Sequence, residues 1–175
     1  MSEAQETNWH KLYQEGIALE SAGEFRESLE KYAQANALDS HYADLHFRIG
    51  RCQLALTNDS QALGEFKLAR DDDALAFRAD SRINQIIRDA ADADNGRGVY
   101  FLDAAGMFAR HSPEKIPGNE LFYEHVHLNF EGNYLLGRAF AEQTAKLLPK
   151  SIVTHDKGPW ASEEFWANNP AASKK

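Results

Sequence analysis

Apolar residues at Ile83, Ile86, Ile87 and Ala90 recur at i, i+3, i+4 and i+7, which lines one face of a helix and predicts an α-helix within residues 75–93. Asp72 or Asp73 is placed to cap its start and Asn95-Gly96 to end it. The period then changes. Val99-Tyr100-Phe101-Leu102-Asp103 is a continuous apolar run rich in strand formers, the pattern of a strand buried on both faces. A long loop is expected next, through Met107-Phe108, Pro113 and Pro117-Gly118. A helix then runs from about Glu131 to Leu148, with Asn129 as N-cap and an apolar face of Leu135, Leu136, Ala139, Phe140 and Leu147. No second convincing strand exists, so residues 99–102 either take their neighbours from elsewhere or lie outside a sheet.

The first half of the chain repeats itself. Gly16 and Gly50, Ser28 and Ala62, Tyr32 and Phe66, and Ala35 and Ala69 are each 34 positions apart. Small residues let one helix backbone approach another, and Tyr32 and Phe66 can fill the space between units. Gly23-Glu24-Phe25 and Thr57-Asn58-Asp59 read as the turns inside the two units. The helices expected are 8–22, 25–38, 42–56 and 60–70. This period, with Gly in a first helix and small-x-x-x-aromatic-x-x-Ala in a second, resembles the tetratricopeptide (TPR) repeat. The departures are Leu12 at a frequent Trp position, Ser28 for Ala, and Ser40 or Ala74 for the closing Pro. Two units are fewer than the three or so that stack stably alone, and the Ile83 stripe is the expected cap.

Composition narrows the function. Among 175 residues, 27 Asp and Glu outnumber 19 Lys and Arg, for a formal net charge of -8. The basic residues are scattered, which argues against nucleic acid as a partner. The apolar runs are far shorter than the roughly 20 residues of a membrane span. The start, MSEAQETNWHKLY, is polar and acidic and lacks the pattern of a secretory signal, so a cytoplasmic location is expected. Cys52 is the single cysteine and reads as a small buried hydrophobe. The run Asp71 to Asp73 reads as a solvated turn and cap ahead of a cation or basic-peptide contact.

The strand ending in Asp103, a loop, and then Glu124-x-x-His127-Leu128-Asn129-x-x-Gly132-x-x-x-Leu136 resemble the last block of the SGNH (GDSL-type) hydrolases. "FRADSRIN" and "IPGNELFYEHVHLNFEGNYLLG" are similar to a group of bacterial proteins in which TPR units interrupt an SGNH-like domain. The resemblance implies His127 as general base, Glu124 as the acid that orients it, and Gly132 as the glycine opening the next helix. It implies a serine nucleophile as well, yet no Gly-Asp-Ser occurs, and Ser81 and Ser112 have no evident oxyanion hole to serve them. Two other readings stay open for Glu124, His125 and His127. They form a structural polar loop, or a metal site, since His125 and His127 point to one side of an extended segment.

The fold class expected is therefore mainly α: two TPR units and a capping helix over 8–93, then a small α/β remnant of one strand, long loop and helix over 94–150. A tail over 151–175 carries Trp160, Phe165 and Trp166 on a short docking helix, with a Lys-rich end. No cofactor is expected. His10, His41, His46, His111 and His155 are assigned ordinary helical or surface roles. The function expected is a TPR-type protein–protein interaction module, with a protein or peptide in its groove. The alternative is a fragment or subunit of an ester or acyl hydrolase whose serine is supplied elsewhere, so the isolated chain is expected to lack esterase turnover. The open edges of residues 99–102, with the apolar face around Leu136 and Phe140, point to a homodimer.

Overall fold

A computed structural model describes residues 1–94, 97–124, 126–153 and 161–168. The Asn95-Gly96 helix stop, His125, His155, Trp160 and the Lys-rich end lie outside the described residues, as does the side chain of Trp166. The chain is mainly helical and forms two compact units, Met1–Asp89 and Ala90–Lys175.

The first unit is built on two helical hairpins: α1 (Glu3–Ser21) with α2 (Phe25–Asn36), and α3 (Ala43–Ala55) with α4 (Asp59–Asp71). α1 starts well before residue 8 because Ser2 and Gln5 make a capping box. The Ser2 Oγ accepts from the Gln5 backbone N–H, and the Gln5 side chain accepts from that of Ser2. Within each hairpin an aromatic ring rests on the backbone of a glycine. A Cβ on Gly16 would collide with the Tyr32 ring, and one on Gly50 would lie 2.8 Å from Cε1 of Phe66. These two crossings are 34 residues apart, so the repeat in the sequence is also a repeat of contacts. The Ser28 hydroxyl donates to the Gly16 carbonyl at 2.9 Å and closes the first crossing.

Tyr32, Ala35, Leu45 and Cys52 are fully buried and form one core with Trp9, Leu12, Tyr13 and Ile49. Trp9 stacks on Tyr13, their ring centroids 4.9 Å apart, and Tyr42 meets both edge-on. Burying a side chain of this size contributes roughly 1.5–3 kcal/mol. Burial pushes the Cys52 thiol up from its usual range, which suits a packing residue.

The turns repeat too. Glu24 N–H donates to the Leu19 carbonyl, and Asn58 N–H to that of Gln53, the bonds that close a helix through a left-handed residue. That residue is Gly23 at φ +81° in the first hairpin but Thr57 at φ +60° in the second. A β-branched side chain is disfavoured there.

Three sequence expectations fail. α5 (Ser81–Ala93) is helical, but none of its residues is buried, and Ile83, Ile86 and Ile87 are 48%, 56% and 47% exposed. The stripe does not cap the repeats: helical spacing establishes which face is apolar, not that a partner covers it. Neither Asp72 nor Asp73 caps this helix. Asp80 accepts from the Ile83 N–H and Asp71 from the Ser81 N–H, and the Asp71 carboxyl is held below its ordinary range, those Ser81 bonds and Arg70 outweighing burial.

In the second unit residues 99–102 form no strand, so the expected α/β remnant is absent among the described residues. Val99, Tyr100 and Phe101 are exposed instead of buried on both faces. Of this run Val99 alone takes part in a β-bridge, and no described residue after it extends the pairing into a strand. The expected loop after it begins as a helix, α6 (Ala104–His111), capped by Asp103 through the Gly106 N–H at 3.0 Å. Met107 and Phe108 on α6 pack with Leu121, Leu128, Leu135 and Leu136. The helix that follows, α7 (Phe130–Ala145), carries the last two, and short helices α8 (Lys150–Val153) and α9 (Glu163–Asn168) complete the unit. The Tyr134 hydroxyl donates to the Ala161 carbonyl ahead of α9.

Thr57→Gly should stabilise the second hairpin by about 1 kcal/mol, the cost of an L-residue in the left-handed region. Urea denaturation measures the gain; an unchanged or lower midpoint would show that the turn carries no strain.

Candidate functional site

Glu124 and His127 lie in a tight loop closed by an antiparallel bridge between Phe122 and Leu128. The Tyr123 N–H donates to the His127 carbonyl at 2.8 Å, and the Asn129 N–H to the Leu121 carbonyl at 3.0 Å. These bonds fold the loop back so that the Glu124 carboxylate contacts His127 Nδ1. The same carboxylate accepts from the backbone N–H groups of Val126 and His127, which fixes its direction. The two site residues named from the sequence are therefore brought together.

The base of the loop is stapled by residues of the same motif. The Asn129 side chain accepts from the Gly132 N–H, capping α7, and donates to the carbonyls of Asn119 and Glu120 at 3.1 and 2.9 Å. Asn133 donates to the Leu128 carbonyl at 2.9 Å. Gly132 is required by space: a Cβ there would collide with the carbonyl oxygen of the fully buried Leu121. Glycine thus lets the helix start touch the loop base, and asparagine ties the two.

A carboxylate on Nδ1 selects the tautomer that leaves Nε2 as an acceptor. The His127 side chain is 79% exposed, so the pair is an acid–base couple open to solvent. The candidate nucleophiles are occupied elsewhere. Ser112 is buried and donates to the Phe108 carbonyl at 3.0 Å. Ser81, in the first unit, is hydrogen-bonded by Arg70. Among the described residues no group of three or more His, Cys, Asp and Glu converges as metal ligands, and the His125 of the metal reading lies outside them.

Sequence reasoning missed three other features. In the first unit Glu20 is buried, yet it accepts from the Tyr32 hydroxyl at 2.8 Å and pairs with Arg48 at 3.1 Å and Arg51 at 3.3 Å. Arg48 also reaches Asp44 and the Tyr13 hydroxyl, and burial together with the Asp44 hydrogen bond pushes Tyr13 up to about 12. Apart from the Asp44–Arg48 pair, one helical turn apart, the partners are 12 to 35 positions apart, so no local pattern announces the network. Beside this network Phe47, Arg51 and Leu54, at i, i+4 and i+7 of α3, form an exposed apolar and cationic stripe. In the second unit a groove of about 350 Å³ between α6 and α7 is floored by Leu102, Met107 and Leu135 and edged by Arg110, Arg138 and Lys146. Two of its cations are already engaged, by Glu142 and Gln143.

No protein-family model, curated protein or solved structure matches the chain. No helix among the described residues is long and apolar enough to cross a membrane.

Gly132→Ala should separate Glu124 from His127 and cost about 1–3 kcal/mol by overpacking the loop base. Nitrogen-15 NMR of the His127 ring reads the change. A ring spectrum identical to that of the wild-type chain would show that Gly132 does not hold the pair together.

Proposed function

We propose that the chain is a TPR-type protein–protein interaction module, cytoplasmic in location, that carries a catalytically incomplete SGNH-hydrolase-like segment. The observation that carries this reading is the Gly–aromatic crossing made twice at a spacing of 34 residues, since stacked hairpins of that period build an extended binding face. The stripe of Phe47, Arg51 and Leu54 supplies what a peptide ligand needs. It offers an aromatic and an aliphatic anchor, and between them the guanidinium of Arg51, which also pairs with Glu20.

The second reading, a hydrolase component with His127 as general base, is favoured by one specific observation, the Glu124 carboxylate on Nδ1. The chain then contributes the acid–base half of a site, and a polypeptide segment bearing the serine and oxyanion donors contributes the rest. Base and acid alone form no acyl-enzyme.

Panning a displayed peptide library against the full chain tests the first reading. Selected peptides should bind with micromolar Kd, about 8 kcal/mol, and lose at least about tenfold in affinity in Phe47→Ala and Arg51→Ala. Failure to enrich any saturable binder, or binding indifferent to both substitutions, would contradict it.

A chromogenic ester assay separates the readings further. No turnover above the uncatalysed rate is expected from the isolated chain. Turnover that vanishes in His127→Ala would make the chain a complete hydrolase and contradict the proposal of an incomplete one.

A further inference from the structure

His46, on α3, is 3% exposed, and both of its ring nitrogens face oxygen. Nδ1 lies 2.7 Å from Oε2 of Glu65 on α4, and Nε2 lies 2.9 Å from the carbonyl oxygen of Ser40 in the linker before α3. The carboxylate of Asp72, the residue that caps the end of α4, stands 3.7 Å from Nε2. That carboxylate also faces His41 at 3.4 Å. The groups around the ring are thus Ser40 from the linker, Glu65 and Asp72 from α4, and His41 beyond Asp72.

A backbone carbonyl and an ionised carboxylate only accept hydrogen bonds, and a neutral imidazole has a single N–H. Both contacts are hydrogen bonds only when the ring carries two protons. We propose that His46 is a proton-dependent clamp: as an imidazolium it ties the linker, the middle of α4 and the end of α4 to one point, and loss of one proton to solvent releases a tie. A ring deprotonated at Nδ1 turns its lone pair toward the Glu65 carboxylate. One deprotonated at Nε2 turns it toward the Ser40 carbonyl and Asp72. Either leaves a nitrogen of the buried ring facing an acceptor with no proton between them, which is costly.

The electrostatics agree with the geometry. Burial alone would lower the basicity of His46, but the Ser40 carbonyl, the Glu65 hydrogen bond and the charges of Glu65 and Asp72 hold it above its ordinary value of 6.5. For a folded value raised above the unfolded one, the stabilisation is complete below about 6.5 and is lost as pH rises through the folded value. The second hairpin should therefore be tightest in mild acid and loosen toward mild alkali, whatever the module binds.

The test combines nitrogen-15 NMR of the His46 ring with thermal unfolding of the full chain between about pH 6 and about pH 9, for wild type and His46→Gln. Two ring N–H protons are expected at the lower pH, with a titration midpoint above 6.5. The Tm advantage of wild type over His46→Gln should shrink as pH rises, each unit of raised basicity corresponding to a tenfold shift in the folding equilibrium. Should His46→Gln fail to fold, Glu65→Gln should lower the His46 midpoint. A ring with one proton at the lower pH, a Tm advantage that does not change with pH, or a midpoint indifferent to Glu65→Gln would overturn the clamp.

Discussion

The first unit depends on an aromatic ring lying directly on a helix backbone. Tyr32 against Gly16 and Phe66 against Gly50 are possible only because glycine has no side chain, and each crossing sets how closely its two helices approach. The consequences reach outward from the first crossing. Once Tyr32 is seated, its hydroxyl meets Glu20, Glu20 draws in Arg48 and Arg51 from α3, and Arg48 ties Asp44 and Tyr13. A buried carboxylate is costly unless neutralised and hydrogen-bonded. Here two guanidiniums neutralise the charge, and Arg48 and the Tyr32 phenol hydrogen-bond Oε2 while Oε1 keeps only its ion pair with Arg51, so the polar network joins the hairpins while the apolar core fills them.

The second unit follows a different logic. Its core is small, centred on Met107, Phe108 and Leu121, and its chemistry sits at the surface. Val99, Tyr100, Phe140 and Phe165 are exposed around it. Exposed apolar side chains of this kind are what the proposed interaction role would use, and under the proposed hydrolase reading the Glu124–His127 pair would be half of a constellation.

Legibility from sequence followed the range of each interaction. The 34-residue register could be read because the residues that repeat are the residues that touch. Glu124 and His127 could be paired because three positions and a turn place them together, and Asn129 could be named as an N-cap because capping is local. Local signals were also missed. The Ser2-x-x-Gln5 capping box marks the true start of α1, and Asp103, read as the end of a strand, is the N-cap of α6. The Ile83 stripe misled because amphipathicity gives a face but no neighbour. Glu20 and His46 were not legible: a buried charged side chain is explained only by partners on other helices, and single-sequence patterns carry no record of those.

A double-mutant cycle across the first crossing tests the central claim most directly. Gly16→Ala, Tyr32→Leu and the pair are compared by urea denaturation of the full chain. If ring and glycine form one packed unit, the smaller Leu side chain relieves the collision that Gly16→Ala creates. The double variant should then be more stable than the sum of the single losses by roughly 1–3 kcal/mol, a coupling expected only between residues in contact. Strict additivity would contradict a ring seated on that backbone, and with it the repeat on which the proposed function rests.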